Sequence, residues 1–318
     1  MSAYIVVIIS FMAAALLSPI VIPILTRLKF GQSIREIGPS WHNKKSGTPT
    51  MGGLIFIFAS LLGTLFFVNK LDTSVVLVVY CSLGFGVIGF IDDFIKVVLK
   101  RNLGLLAWQK LAMQILVSVT FVYLALHTGL VSTAINIPFS SITFDFGIFY
   151  IPVAIFIIVG VVNSVNLTDG IDGLATSVTI IVILFFATIT ALLKMPLFIF
   201  CYGLVGALFG FLLFNKHPAK VFMGDTGSLF LGGVVASSAI IINQPFILIL
   251  VGFIYFCESL SVIIQVISFK LTGKRVFKMS PIHHHFEMSG WSETKIVRIF
   301  TTVTLILSII AYFGCGVG

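Results

Sequence analysis

Ten apolar runs follow one another along the chain, near residues 3–25, 51–69, 74–91, 107–126, 148–164, 173–193, 196–214, 227–243, 246–268 and 296–314. A helix needs about 20 residues to cross the hydrocarbon core of a bilayer, and each run is close to that length. Lipid offers no partner to an exposed backbone N–H or C=O, so unbroken runs of this kind are helices rather than open sheet. The remaining residues are too poor in charge to cover a water-facing surface. The chain is 58% hydrophobic and 9% charged, against about 25% charged in soluble domains. A disordered chain, a coiled coil and a secreted disulfide scaffold are excluded, and the scarcity of polar side chains argues against a soluble enzyme. The expected fold is an all-α polytopic membrane protein, one transmembrane domain over 1–318 with about ten spans. Cys81, Cys201, Cys257 and Cys315 lie in apolar segments and form no CxxC pair, so they read as small buried hydrophobes.

Charge placement orients the spans. If the loop after the first run is cytoplasmic, all 19 Lys and Arg except Lys70 and Lys194 fall on that side. The positive-inside rule then puts both termini outside. The first run has no Lys or Arg before it and Arg27 and Lys29 after it, the reverse of a cleaved leader, so it reads as a retained span. The net charge of +8 is a one-sided basic surface facing anionic head groups and anionic cytosolic substrates, not a nucleic-acid signal. On the outer side, the stretch IPFSSITFDF within 127–147 alternates weakly and fits a small hairpin.

The acids cluster at the cytoplasmic ends of the spans, where an ionised group without a role is costly. In GFIDDFIKVVLKR (89–101), Asp92 and Asp93 are adjacent. They would repel by about 3 kcal/mol at an effective dielectric near 20. Lys96, one helical turn on, or a divalent cation would offset this, and Lys100 follows. In NSVNLTDGIDGL (163–174), Asn163, Asn166, Asp169 and Asp172 recur every three residues and would share one helix side. That ladder suits a sugar or nucleobase edge, or a hard cation. NKHPAKVFMGDTGSLFLGG (215–233) brings Asn215, Phe222, Gly224 and Asp225 to the start of a span. There Thr226 or Ser228 would cap the helix, and its first amides would attract phosphate. In FKLTGKRVFKMSPIHHHFE (269–287), His283, His284 and His285 are consecutive. They cannot all ligate one metal from a regular helix, and they suit phosphate binding or proton transfer. In REIGPSWHNKKSGTPTMGG (35–53), Lys45, Thr48 and Thr50 beside Gly52 and Gly53 could close over a phosphate. Glu258 stands apart, inside the ninth run, as a bend or the partner of a nearby polar group.

All five segments return to one face. Acids, basic loops, helix starts and imidazoles at a membrane boundary suit metal-assisted phosphoryl transfer. Mg²⁺ favours one or two carboxylates plus substrate phosphates. A soluble diphosphate would arrive from the cytosol and a lipid phosphate along the bilayer.

The stretches GTPTMGG (47–53), GFIDD (89–93), NLTDGIDGLA (166–175), PAKVFMGDTGSL (218–229) and MSPIHHHFE (279–287) resemble, in family order and across essentially the whole chain, the phospho-N-acetylmuramoyl-pentapeptide-transferase (MraY) family of polyprenyl-phosphate sugar-1-phosphate transferases. The resemblance implies transfer of phospho-MurNAc-pentapeptide from UDP-MurNAc-pentapeptide to undecaprenyl phosphate with Mg²⁺, giving lipid I and UMP at the cell membrane. It implies that Asp225 holds Mg²⁺ and that Asp92 and Asp93 lie beside the diphosphate, Asp92 as a candidate base. Asn166, Asp169, Asp172 and Phe222 would line the nucleotide site, with Phe222 stacking on uracil. Lys45, Thr50, Lys96 and Lys100 would approach phosphate, and His283 and His284 would serve the substrate end of the cleft. Asn163, Asn215 and Gly224 complete the candidate binding residues, and a homodimer is the family expectation. Direct attack and a covalent aspartyl intermediate both remain open. So do another UDP-sugar donor, against which the triple His argues, and, outside the enzymes, a secondary transporter.

Overall fold

A computed structural model describes residues 2–28, 47–67, 72–99, 104–140 and 142–316. It is helical almost throughout: α1 Ser2–Arg27, α2 Gly53–Leu65, α3 Thr73–Val97, α4 Ala107–His127, α5 Tyr150–Thr168, α6 Leu174–Leu192, α7 Leu197–Asn215, α8 Gly224–Ile241, α9 Leu248–Val251, α10 Phe253–Thr272, α11 Ile282–Glu287 and α12 Glu293–Gly314. Nine of these, among the described residues, are long and apolar enough to cross a membrane. The protein is therefore a multi-pass membrane protein.

Two of the ten apolar runs depart from a simple span. The second run yields only the 13 residues of α2. Its first residues belong to a turn whose backbone pairs elsewhere, with the Gly52 N–H donating to Phe222 O at 2.8 Å and the Gly53 N–H to Met223 O at 3.0 Å. The ninth run breaks. A 3₁₀ turn at Pro245–Ile247 leads into α9, Gly252 interrupts the helix, and α10 continues to Thr272. The outer hairpin forms as expected: β1 (Ala134–Asn136) pairs antiparallel with β2 (Thr143–Asp145) in the register Ile135 to Phe144.

The centre of the bundle is α8, whose apolar window is 89% buried. It packs against α3, α5, α2 and α6. Membrane helices gain little from the hydrophobic effect against one another, so close backbone approach through small residues matters more. Gly89 of α3 is the tightest example, because a Cβ there would lie 2.1 Å from the carbonyl oxygen of Asp225. Two buried hydroxyls at this contact are satisfied within their own helices: Ser237 donates to Gly233 O at 2.6 Å and Ser82 to Val78 O at 2.7 Å. Gly89→Ala should separate α3 from α8 and destabilise the fold by about 3 kcal/mol, at the upper end for overpacking. Thermal unfolding in detergent reads this directly, and an unshifted midpoint would contradict so close an approach.

Candidate active site

Asp92, Asp93 and Asp225 meet where the C-terminal part of α3, the N-terminal part of α4, the end of α5 and the start of α8 converge. Ligand oxygens of Asp92, Asp93 and Asp225 all lie within 4.8 Å of one another. Two lysines offset this charge. Lys96 and Lys110 each donate to Asp225 Oδ2, at 3.0 and 2.9 Å, and Lys96 also pairs with Asp92. Asn166 donates to Asp225 Oδ1 at 2.8 Å and to Ser228 Oγ at 2.8 Å. Asp225 is thus the hub, and the Lys96 ammonium bridges it to Asp92. Asp92 is 2% exposed, and its Oδ1 accepts the Leu105 N–H at 2.8 Å from the loop that folds over it.

Asp93 has a separate task. Its Oδ1 accepts the Asp225 N–H at 3.2 Å, and its Oδ2 accepts the Thr226 N–H at 2.9 Å and the Thr226 hydroxyl at 2.7 Å. It caps α8 from another helix. The expectation that Thr226 or Ser228 would cap α8 is corrected. Both residues lie inside the helix, where Thr226 donates to Asp93 and Ser228 donates to Gly224 O at 2.9 Å. The first amides of α8, expected to attract phosphate, hold a protein carboxylate instead. Gly224 permits this turn with φ of 71°, and a Cβ there would lie 2.6 Å from both Asp93 Oδ2 and Thr50 Oγ1. Thr50 is buried beside it.

The polar ladder of 163–172 does not stay on one helix face, because α5 ends at Thr168. Asn163 forms an amide pair with Gln114, donating to its Oε1 at 2.8 Å. Asp169 lies in the turn beyond α5. Burial pushes its carboxyl up to about 8, and the charges of Asp225, Asp93 and Asp172 add to the shift. Asp172 points to a second group, accepting from Ala219 N at 3.0 Å and lying 2.9 Å from His217 Nδ1. Glu293 Oε2 accepts the Asp172 N–H at 3.1 Å. Asp172, His217 and Glu293 are a second set with metal-ligand spacing.

Asn215 holds the α7–α8 loop, accepting from Thr176 Oγ1 at 2.6 Å and donating to Val221 O at 2.9 Å. Phe222 pairs its backbone with Pro49 and Gly52, leaving its ring half-buried. The three histidines take three different partners: His283 Nδ1 lies 3.0 Å from Glu258 Oε2, His284 Nδ1 lies 2.6 Å from Glu287 Oε2, and His285 Nδ1 accepts the Lys278 N–H at 3.1 Å. Lys45 and Lys100 fall outside the described residues.

Lys110 was missed as a site residue by the sequence reading, although it is the one charged residue in 104–126 and so carried a signal. Gln114 gave none, and neither did the pairing of His217 and Glu293 with Asp172, since these partners are remote in sequence.

A carboxyl whose folded pKa is raised favours the fold while protonated. The stability it contributes is fully present below its unfolded value near 4 and is lost as pH rises through about 8. Asp169→Asn should therefore flatten the fall in thermal stability of chelator-treated protein between about pH 4 and pH 8. An unchanged slope would show that Asp169 titrates as an ordinary carboxyl.

Hard oxygen donors from several carboxylates at helix ends fit Mg²⁺. Asp92 Oδ2 and Asp225 Oδ2 share the Lys96 ammonium, and Asp225 Oδ2 also takes Lys110. A cationic group already occupies the bridging position, so the residues present fit a cation.

Residues 75–243 match the model of glycosyl transferase family 4, and residues 45–57 match phospho-N-acetylmuramoyl-pentapeptide-transferase signature 1. The chain is 52% identical over 307 residues to the phospho-N-acetylmuramoyl-pentapeptide-transferase of Clostridium perfringens (strain 13 / Type A), covering 96% of each chain. It is 54% identical over 310 residues to that of Halalkalibacterium halodurans, covering 96% of this chain and 95% of the relative. It is 51% identical over 309 residues to that of Clostridium kluyveri (strain ATCC 8527 / DSM 555 / NBRC 12016 / NCIMB 10680 / K1), covering 97% and 98%.

Proposed function

The chain belongs to the phospho-N-acetylmuramoyl-pentapeptide-transferase family, and on that premise we propose that it carries phospho-MurNAc-pentapeptide from UDP-MurNAc-pentapeptide to undecaprenyl phosphate, releasing UMP and leaving lipid I in the membrane. Enzymatic transfer in peptidoglycan synthesis follows from the family itself. The observation that supports the finer reading is the hub at Asp225, where Asp92, Lys96, Lys110 and Asn166 converge.

In the proposed reaction an oxygen of the lipid phosphate attacks the sugar-bearing phosphorus. The bond to the bridging diphosphate oxygen breaks, and that oxygen leaves on UMP. Asp92 accepts the proton of any singly ionised lipid phosphate. Lys96 and Lys110 neutralise phosphate charge, and Asn166 orients the Asp225 carboxylate. Mg²⁺, held by Asp225 and Asp92, would stabilise charge between attacking and leaving oxygens. Phe222 would stack on uracil, with Asp169 and Asp172 beside the nucleotide. Lys45 and Lys100 would reach phosphate from the adjoining loops. In this reading α2 completes ten spans in the cytoplasmic membrane, with both termini outside and the site facing the cytosol. The protein pairs as a homodimer among its lipids.

Purified protein given UDP-MurNAc-pentapeptide and undecaprenyl phosphate should yield lipid I and UMP in equal amounts. Preference for a different UDP-sugar in competition would overturn the donor assignment.

A further inference from the structure

Glu258 lies within α10 at 0% exposure. A carboxylate so placed needs a partner, since neither lipid nor packed side chains solvate it. That partner is His283, also 0% exposed. Glu258 Oε2 lies 3.0 Å from His283 Nδ1 and 3.5 Å from its backbone N–H. The other ring nitrogen, Nε2, is buried and has no hydrogen-bond partner among the described residues. It presses on the turn after α5, and a Cβ on Gly170 would lie 2.2 Å from it. Gly170 follows Asp169 directly. Three remote segments therefore meet at His283: the α10 carboxylate, the α11 imidazole and the turn that carries Asp169.

We propose that Glu258 is a positioning residue, which fixes the His283 ring through Nδ1 so that Nε2 is presented beside the Asp169–Gly170 turn as a hydrogen-bonding atom for the donor substrate. A carboxylate accepting from one ring nitrogen sets which atom of the imidazole the other side presents. The logic is that of the orienting acid behind a working histidine. An orphaned buried nitrogen is rare in a folded protein, and this one lies against the turn that carries Asp169. This inference rests on the transferase reading and deepens it.

The test is a double-variant cycle on the full-length protein in detergent: E258A, H283A and both together, with kcat and the donor KM measured separately and thermal unfolding as the check on folding. E258A should lower kcat by about tenfold to a hundredfold, the usual loss for an orienting partner. In the H283A background the same change should cost less than about twofold. E258Q, which keeps an acceptor oxygen, should lose less than E258A. G170A should lower kcat with Glu258 intact, because the new methyl displaces the ring. Losses that multiply in the double variant, or wild-type kcat in E258A, would overturn the proposal. Should E258A not fold, the cycle is completed with E258Q on the same criteria. Wild-type UMP release is the control that separates the two ideas. Its absence sinks the transferase reading, whereas its presence with multiplying losses sinks only the positioning role.

Discussion

Replacing Asp225 by Asn should abolish UMP release from UDP-MurNAc-pentapeptide in Mg²⁺ while leaving the protein folded. The expected loss is at least about a thousandfold, equivalent to about 4 kcal/mol of barrier. Asp225 accepts from Lys96, Lys110 and Asn166 at once. The amide keeps the shape of the side chain, removes its charge, and turns one acceptor into a donor among groups that only donate. The fold has reason to survive, because Asp93 caps α8 through the backbone N–H groups of Asp225 and Thr226. Those groups remain whatever side chain stands at 225. Turnover at the wild-type rate in a folded D225N protein would remove Asp225 from the metal role. The same logic warns against reading Asp93→Asn as a chemical probe, since that change also loosens the first turn of α8, an effect of about 1 kcal/mol or more.

EDTA should stop turnover, and Mg²⁺ or Mn²⁺ should restore it. Three carboxylates whose oxygens lie within 4.8 Å of one another face two ammonium groups, so acids outnumber bases in the cluster. An incoming diphosphate and lipid phosphate would add more negative charge than two lysines can balance. A second readout avoids dependence on activity. Mg²⁺ should raise the unfolding midpoint of the wild type by mass action and raise that of D225N much less. Turnover indifferent to EDTA would rule out the metal reading.

The amino-acid sequence discloses the spans well because a membrane crossing is a local property of about 20 residues. The short α2 and the break at Gly252 were not legible, since both depend on backbone pairing that a run of mostly apolar residues does not announce. Asp92, Asp93 and Asp225 stand out as acids at span ends, and the structure brings them together. Their division of labour was hidden. The cap that Asp93 supplies joins positions 93 and 226, and no local pattern announces a contact across that distance. The three-residue spacing of Asn163 to Asp172 suggested one helix face, and the end of α5 at Thr168 splits it. Glu258 was visible as an anomaly in an apolar run, but its partner His283 was not.

Because Asp93 fills the dipole end of α8, the rigid amide nest found there in many nucleotide enzymes is already taken. In the proposed reaction, phosphate would instead be met by the Lys96 and Lys110 ammonium groups, each on a long side chain. Such chains can follow a phosphorus atom as it passes from one oxygen to another, where a fixed cradle would grip only one end of that journey. On the proposed reaction the site would trade shape selection at the phosphates for continuous neutralisation along the reaction path, and would leave the recognition of substrate identity to the groups around it.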